Sequence, residues 1–465
     1  MNRSLLVLLA AALSAGAQSF DRTKAPQSPP IPAYKLPPVY ETKLPNGMTV
    51  VLVEDARFPL VTVRLAFLAG SKFDPPGMPG LAEATAALLT EGTRTRSARQ
   101  ISEETDSIGG SLSGSAGADG LVLAGSALSD HTPALLALAA DAARNATFPE
   151  DEVNLHKQNR LQSLIAQRSE PGFLAEEKMA AVVYGTSPYA HIAPTQASIG
   201  KLDSKVLANF RDTWLVPNNA TLILIGKLPS RDELIKTITA QFGSWQQKAL
   251  PPSPRVEPPA PKRQIVLVDR PGSVQADIHV GRLAPTRAGA EYFPLAVANT
   301  ALGGGANSRM FRNIREKEGF AYDAHSQYDT HRDSADFEAV TEVRNEVIEP
   351  AMKAVIAELD QMAKTPIGSA ELSNTKNYLA GLYLLRLETQ EGLANQLNTI
   401  KTLGLPNDYL ETYTTHIRSV EPDQVLAVAK QYISPDQAAI VVVGDASKIA
   451  EALKKLGEVT ITKAN

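Results

Sequence analysis

The 465-residue sequence contains no cysteine, which excludes disulfides, iron–sulfur clusters, thiolate zinc sites and cysteine nucleophiles. It also lacks an excess of positive charge. Lys and Arg number 46 against 50 Asp and Glu, a net charge of −4, so nucleic-acid binding driven by bulk charge is excluded. After the N-terminus no apolar run approaches the roughly 18 residues of a membrane-spanning helix. The remainder, 43% hydrophobic and 21% charged, is typical of a globular chain with two or more domains.

The N-terminus has the pattern of an export signal. Arg3 precedes an apolar run from Leu5 to Leu13, and Ala15-Gly16-Ala17 has the small-x-small form of a signal-peptidase site. We therefore predict that residues 1–17 are a cleaved signal peptide, the alternative being a buried core segment. The mature protein is expected to be exported, and periplasmic if the source is a Gram-negative bacterium.

Proline marks the expected domain boundaries. Residues 18–40 hold six prolines and predict an extended arm, because proline cannot donate ladder hydrogen bonds. Six more prolines between 249 and 263 predict a linker. The remaining chain divides into an N-terminal domain, 41–248, and a C-terminal domain, 264–465.

The two domains repeat one plan. The block Trp214–Gly226 matches Tyr432–Gly444 at an offset of 218, and Val51–Asp55 resembles Val266–Asp269. Apolar periodicity predicts helices at 79–92, 131–145, 150–168, 171–184, 204–213, 289–301, 307–317, 346–364, 369–404 (continuous or broken) and 421–432. Helices follow one another instead of alternating with strands. This favours an α+β fold of two homologous halves, each a largely antiparallel sheet covered by helices.

Six blocks in order on this duplicated frame carry a family resemblance. They are Leu44–Val51, Gly80–Thr93, Tyr184–Tyr189, Trp214–Gly226, Leu302–Phe311 and Ile314–Tyr322. Together they resemble the pitrilysin/insulinase family of zinc metallopeptidases, which includes the mitochondrial processing peptidases, over about residues 40–460. The resemblance implies that the two halves form one half of a clam-shell chamber.

The resemblance also implies a zinc motif, H-x-x-E-H, on the helix at 79–92. Here its positions hold Glu83, Ala86 and Ala87, and the expected third ligand is replaced by Gln162 or Ser163. Alanine neither ligates nor accepts a proton, and a site built from Glu83 and Glu91 lacks a third ligand. No metal is therefore predicted in this chain.

A relocated metal site is an alternative. Six odd-numbered polar residues, two of them histidines, would share one face of a strand. They are Asp323, His325, Gln327, Asp329, His331 and Asp333. The competing interpretation is the water-facing side of an antiparallel strand.

The resemblance implies that the second half supplies an Arg and a Tyr, seven residues apart, to the active site. Arg315 and Tyr322 match that spacing. A phenol donates a hydrogen bond to an oxyanion, and a guanidinium binds carbonyls or carboxylates. The alternative is a surface cation and a packed tyrosine. Substrate binding is also predicted for Arg309 and the loop Gly303-Gly304-Gly305, which lacks the Gly-Lys-Ser/Thr of a phosphate loop.

The leading hypothesis is a non-zinc-binding subunit of a secreted heteromeric metallopeptidase. Its partner would be a homologous chain that carries the zinc, and its substrates would be peptides bound as an added edge strand. A non-catalytic scaffold or peptide-binding protein of the same fold is the second hypothesis, and a stand-alone peptidase using the His325/His331 face is the third.

Overall fold

The computed structural model describes residues 35–254, 259–260 and 262–463. The predicted signal peptide and most of the predicted arm lie outside the described residues, so export stays a prediction. From Leu36 onward the described chain forms one compact unit. Among the described residues, no helix combines the length and apolar character needed to cross a bilayer.

The strands are β1 (Val39–Lys43), β2 (Thr49–Glu54), β3 (Leu60–Phe67), β4 (Ser111–Ala116), β5 (Leu121–Leu128), β6 (Ala220–Gly226), β7 (Gln264–Asp269), β8 (Gln275–Leu283), β9 (Ala321–Thr330), β10 (Ala335–Arg344), β11 (Ala439–Gly444) and β12 (Val459–Lys463).

The helices are α1 (Leu81–Ala87), α2 (Ala98–Ser107), α3 (Thr132–Asn145), α4 (Glu150–Ser169), α5 (Pro171–Tyr184), α6 (Gln196–Gly200), α7 (Ser204–Trp214), α8 (Arg231–Phe242), α9 (Tyr292–Gly303), α10 (Ile348–Lys364), α11 (Ser369–Leu387), α12 (Gln390–Leu403), α13 (Tyr409–Ser419), α14 (Pro422–Tyr432) and α15 (Ala446–Lys454). A π-helix covers Phe311–Lys317.

Two six-stranded sheets confirm the predicted α+β fold of two homologous halves. Their strand orders are β1-β2-β6-β3-β5-β4 and β12-β7-β11-β8-β10-β9. Only β2–β6 is parallel in the first sheet, whereas β12–β7 and β7–β11 are parallel in the second. Five strands therefore correspond one to one. The outer strand differs, because β1 precedes its half while β12 ends the other.

The two halves exchange a helix. α5 belongs by sequence to the first half but packs on β8 and β11 of the second sheet. Its repeat, α12, packs on β3 and β6 of the first sheet. A buried core cluster accordingly joins side chains of both halves, among them Leu174 and Met179 of α5 with Val266 and Val441. Each half completes the other's core.

Most predicted helices match the structure, but the first is shorter than predicted. The pattern at 79–92 predicts a helix over the whole range, whereas α1 ends at Ala87 and the backbone of Leu88 has left helical geometry. Leu88 and Leu89 remain buried, so the apolar spacing continues after the helix has ended. The sequence left open whether the helix at 369–404 is continuous or broken, and the structure divides it into α11 and α12.

Candidate functional site

The helix that carries the altered zinc motif is held close to the first sheet. Asp74 accepts hydrogen bonds from the backbone N–H groups of Gly80 (2.7 Å) and Ala82 (2.8 Å) at its N-terminus. Burial raises the pKa of Asp74 to about 7 despite these two donors. Near its other end, the carbonyl oxygen of Ala86 lies so close to Gly114 of β4 that a Cβ there would be 2.0 Å away.

The motif positions are not arranged as a metal site. Glu83 and Ala87 are partly exposed on one face of α1, whereas Ala86 is completely buried. The residue of α4 that reaches Glu83 is Arg160, whose Nε lies 2.9 Å from Oε1 and whose Nη2 donates to Oε2 at 3.3 Å. Gln162 and Ser163 are exposed. A guanidinium thus faces the one carboxylate that the motif retains.

The donor set of α1 and α4 does not fit zinc. A catalytic zinc takes about three good protein ligands, and here one carboxylate is already paired with a cation. In the described ranges, no group of three His, Asp or Glu side chains lies close enough to hold a metal ion. The spacing of the motif marked Glu83, but only the fold identifies Arg160, because its contact joins residues 77 positions apart.

The two histidines predicted on the polar face of β9 contact different neighbours. His325 Nδ1 lies 2.7 Å from Asp323 Oδ2 at the exposed surface. His331 lies beyond the end of the strand, where its ring stacks on Tyr189 with centroids 4.6 Å apart, and burial lowers its pKa. The two histidines therefore do not form the ligand group that the alternative interpretation required.

Arg315 and Tyr322 lie together on the surface. The guanidinium carbon of Arg315 is 4.8 Å from the Tyr322 ring centroid and 4.5 Å from that of Phe311. The Tyr322 side chain is 85% exposed. Within the described part of the chain, neither the guanidinium nor the phenol has a hydrogen-bonding partner, so both polar groups face outward.

Each member of the pair lies at an irregularity of the backbone. Arg315 belongs to the π-helix, in which the Glu318 N–H donates to the Asn313 carbonyl (3.0 Å). Tyr322 and Asp323 lie opposite the single residue Glu342 of β10, which is a β-bulge. Both irregularities redirect side chains and are frequent at functional sites. The family resemblance implied the pair, but the sequence indicated neither irregularity.

The other residues predicted to bind substrate are engaged within the chain. A Cβ on Gly303 would lie 2.0 Å from the Ser326 backbone nitrogen, so this glycine permits close packing of α9 on β9. Arg309 is buried and donates to both carboxylate oxygens of Glu371, at 2.8 and 2.7 Å. Gly305 is open. A substrate-binding role for these residues stays a prediction. Glu371 accepts from Nε and Nη2 of Arg309, while Nη1 is buried and has no hydrogen-bonding partner among the described residues.

A cavity of about 320 Å³ lies between the two halves, beside α1. Carboxylates line it, and no lysine or arginine is among its described lining residues. The acidic lining residues are Glu83, Glu176, Asp329, Asp336 and Glu338. Of the β9 residues that line this cavity, Gln327 is nearest to Tyr322 in sequence, five residues away, which is roughly 17 Å at the rise of a strand. The cavity and the Arg315/Tyr322 pair are therefore separate.

Burial shapes the electrostatics of this cavity. It raises the pKa of the buried Asp336 well above its usual range, with the neighbouring Glu338 adding to the effect, whereas Glu176 and Asp329 are exposed residues whose partial desolvation beside the cavity raises their pKa. The Tyr184 hydroxyl of α5 donates to Asp336. His279 Nδ1 lies 2.9 Å from Glu338 Oε2. The raised pKa values mean that the cavity favours the neutral form of the Glu176, Asp329 and Asp336 carboxyl groups.

Comparison with known proteins settles the family. The insulinase (peptidase family M16) model matches residues 49–193, and the peptidase M16 inactive domain model matches residues 201–379. The chain belongs to the insulinase family. The resemblance stated from the six sequence blocks is thereby confirmed.

Relatives within the insulinase family span nearly the whole chain. An uncharacterized zinc protease of Bacillus subtilis, YmxG, is 22% identical and covers 84% of this chain and 95% of its own. One of Streptomyces coelicolor is 24% identical, covering 85% and 87%. A solved M16 inactive domain from Pseudomonas fluorescens superposes with a TM-score of 0.82 at 27% identity, covering 88% of this chain and 98% of that one. A Helicobacter pylori protease has the same fold, with a TM-score of 0.82 at 20% identity.

Proposed function

We propose that this chain is the non-zinc-binding subunit of a heteromeric, exported metallopeptidase of the insulinase family. It would form one half of a clam-shell chamber. A homologous zinc-bearing chain would form the other half, and peptides would be the substrates. The observation that carries the proposal is the outward-facing pair Arg315 and Tyr322, whose polar groups have no described partner in their own chain.

The altered motif also supports a zinc site on a partner chain instead of on this one. Glu83 is paired with Arg160, and Ala86 offers no base for activating water. A peptide held against the exposed pair would need the hydrolytic groups of another chain. The Tyr322 phenol would donate a hydrogen bond to the oxyanion that forms when the scissile carbonyl is attacked. The Arg315 guanidinium would hold carbonyl oxygens of the peptide main chain.

The first test is the substitution Tyr322→Phe in the chain reconstituted with its co-purified homologue. It removes one hydroxyl from an exposed ring, so folding and assembly should be unchanged. Loss of an oxyanion donor should lower turnover on the order of a hundredfold, about 3 kcal/mol, with little change in apparent substrate affinity. Tyr378→Phe, at another exposed tyrosine, is the matched control. Wild-type turnover by the Tyr322→Phe complex would refute the active-site role.

Arg315→Ala should have a different kinetic effect. A guanidinium that holds peptide carbonyls acts in the ground state as well, so KM should rise while turnover falls. Arg312→Ala, an exposed arginine of the same π-helix, should leave both constants unchanged. Equal effects of the two arginine variants would indicate a general charge effect instead of a specific contact.

A second candidate, a peptide-binding protein without catalysis, is favoured by the cavity between the halves. This cavity lies within one chain and needs no partner to complete it. Fluorescence anisotropy of a labelled casein peptide with the purified chain alone separates the candidates. Tight binding that Tyr322→Phe and Arg315→Ala leave unchanged, without hydrolysis by any reconstituted pair, would favour this alternative.

A further inference from the structure

Arg315 lies against two aromatic rings, and only one of them belongs to the proposed active-site pair. The second ring is that of Phe311, whose centroid is 4.5 Å from the guanidinium carbon, slightly closer than the Tyr322 ring at 4.8 Å. Both distances are within the range of cation–π contacts. Phe311 carries no polar group, so it contributes no chemistry of its own.

The π-helix explains why these two side chains meet. Phe311 begins this helix and Arg315 follows four residues later, one turn further along the same face. Ile314, next to Arg315, is completely buried and anchors the segment. The half-buried Phe311 therefore offers a ring surface that is fixed relative to the backbone.

Arg315 is held by ring contacts, whereas some other arginines of this chain are held by ion pairs. Arg309 and Arg160 are each held by a carboxylate, Glu371 and Glu83 respectively, which accepts from two nitrogens of Arg309 and from Nη2 of Arg160. Arg315 has no such carboxylate among the described residues. A ring contact orients a guanidinium through its face and leaves the N–H groups at its edge free to bind oxygen atoms of another molecule.

We infer that Phe311 is a positioning residue, which holds the Arg315 guanidinium in place so that its free N–H groups meet the oxygen atoms of a bound peptide. This inference rests on the function proposed above. It assigns Phe311 an action through Arg315 alone, without contact with the peptide.

The contact itself is testable on the free chain. The Arg315 Nε–H resonance, assigned by its loss in Arg315→Lys, should carry a ring-current shift. Phe311→Leu keeps an apolar side chain but removes the ring, so it should move this resonance toward the random-coil value, while Phe311→Tyr should retain the shift. An unmoved resonance in Phe311→Leu would overturn the inference, whatever the fate of the proposed function.

The functional consequence requires a double-mutant cycle in the reconstituted pair. Phe311→Leu should raise KM for a labelled casein peptide roughly two- to fivefold, the range expected from loss of an exposed cation–π contact. Phe311→Tyr should restore the wild-type value. In the Arg315→Ala background, Phe311→Leu should change nothing further, because no guanidinium remains to be positioned.

The outcomes distinguish a failure of the role inferred for Phe311 from a failure of the proposed function. An equal cost of Phe311→Leu in both backgrounds would show a merely structural role and overturn the inference. The same holds if Arg315→Ala impairs hydrolysis and Phe311→Leu does not. If Arg315→Ala itself has no effect, the proposed function fails, while the resonance measurement still decides whether Phe311 holds the guanidinium.

Discussion

At the residue scale, Glu83 has a guanidinium as its partner, and this pairing limits what a restored zinc motif could do. The Arg160 Nε lies 2.9 Å from the Glu83 carboxylate. Any ion bound by side chains at positions 83 and 87 would lie within a few ångströms of that positive charge. At an effective dielectric constant of 20, two unit charges 4 Å apart interact by about 4 kcal/mol.

We therefore expect Glu83→His with Ala87→His to bind zinc poorly, and Arg160→Gln to improve the affinity of this double variant at least tenfold, about 1.4 kcal/mol. Isothermal titration calorimetry with zinc measures both constants. Arg168→Gln is the matched control, since Arg168 lies on the same helix but pairs with Glu177. Equal zinc affinities with and without Arg160→Gln would show that the guanidinium does not govern the site.

The sequence identified single residues better than their surroundings. Through the family resemblance it implied a role for Arg315 and Tyr322, whose seven-residue spacing is visible in the linear chain. It did not reveal the partner of Glu83, because Arg160 meets it only after α1 and α4 have packed. Nor did it show that Arg309 is already paired with Glu371, a contact that joins different helical segments across 62 positions.

At the element scale, the N-terminus of α1 depends on a carboxylate that lies outside the helix, six residues before its N-cap position. Its N-cap position is Gly80, which has no side chain to offer, and Asp74 accepts the free N–H groups instead. Because burial raises the pKa of Asp74 to about 7, the folded protein holds a proton there that the unfolded chain releases near pH 4. Its contribution to stability therefore falls as pH rises from about 4 to 7.

Asp74→Asn should remove this titration. The variant should be less stable than wild type at pH 5, because an amide NH₂ would face a backbone N–H. The difference should shrink by roughly 3 kcal/mol between pH 5 and pH 8, where wild type carries a buried charge, because only about two pH units of the titration lie above pH 5. Urea unfolding at the two pH values measures the difference. Asp203→Asn, at the exposed cap of α7, controls for loss of a capping carboxylate. A difference that grows with pH would contradict the assignment.

Elements with strong local signals were predictable, and irregular ones were not. The apolar period of α3, α4, α5 and α7 placed their ends within a residue or so of the structure. The early end of α1 escaped prediction, because Leu88 and Leu89 are buried outside the helix. The π-helix and the bulge at Tyr322 also escaped, because both depend on neighbouring elements.

At the scale of the whole molecule, the exchange of α5 and α12 joins two halves that the sequence presents as separate. The repeat offset predicts two equivalent domains, but it does not show which sheet each helix covers. Polar contacts reinforce the exchange. Arg64 of β3 pairs with Glu391 of α12, and Tyr184 of α5 donates to Asp336 of β10. Movement of one half against the other would break contacts on both sheets.

The exchange predicts how the chain behaves when it is cut between the halves. The linker predicted at 249–263 has no regular structure in its described part, and most of those residues are exposed. Limited proteolysis should therefore cleave there and give two fragments of similar mass on a denaturing gel. In native gel filtration, however, the fragments should elute together, because each holds a helix buried in the other. A large apolar side chain contributes about 1.5–3 kcal/mol when fully buried.

The α5 helix offers a matched pair of variants for this test. Met179 is completely buried in the core that joins the halves, whereas Ala181 is exposed on the same helix. Met179→Glu should let the nicked fragments separate or unfold, because it places an unpaired charge in that core. Ala181→Glu should leave them associated. Separation of the wild-type fragments without denaturant would mean that the exchanged helices do not hold the halves together, and that the halves move independently within one chain.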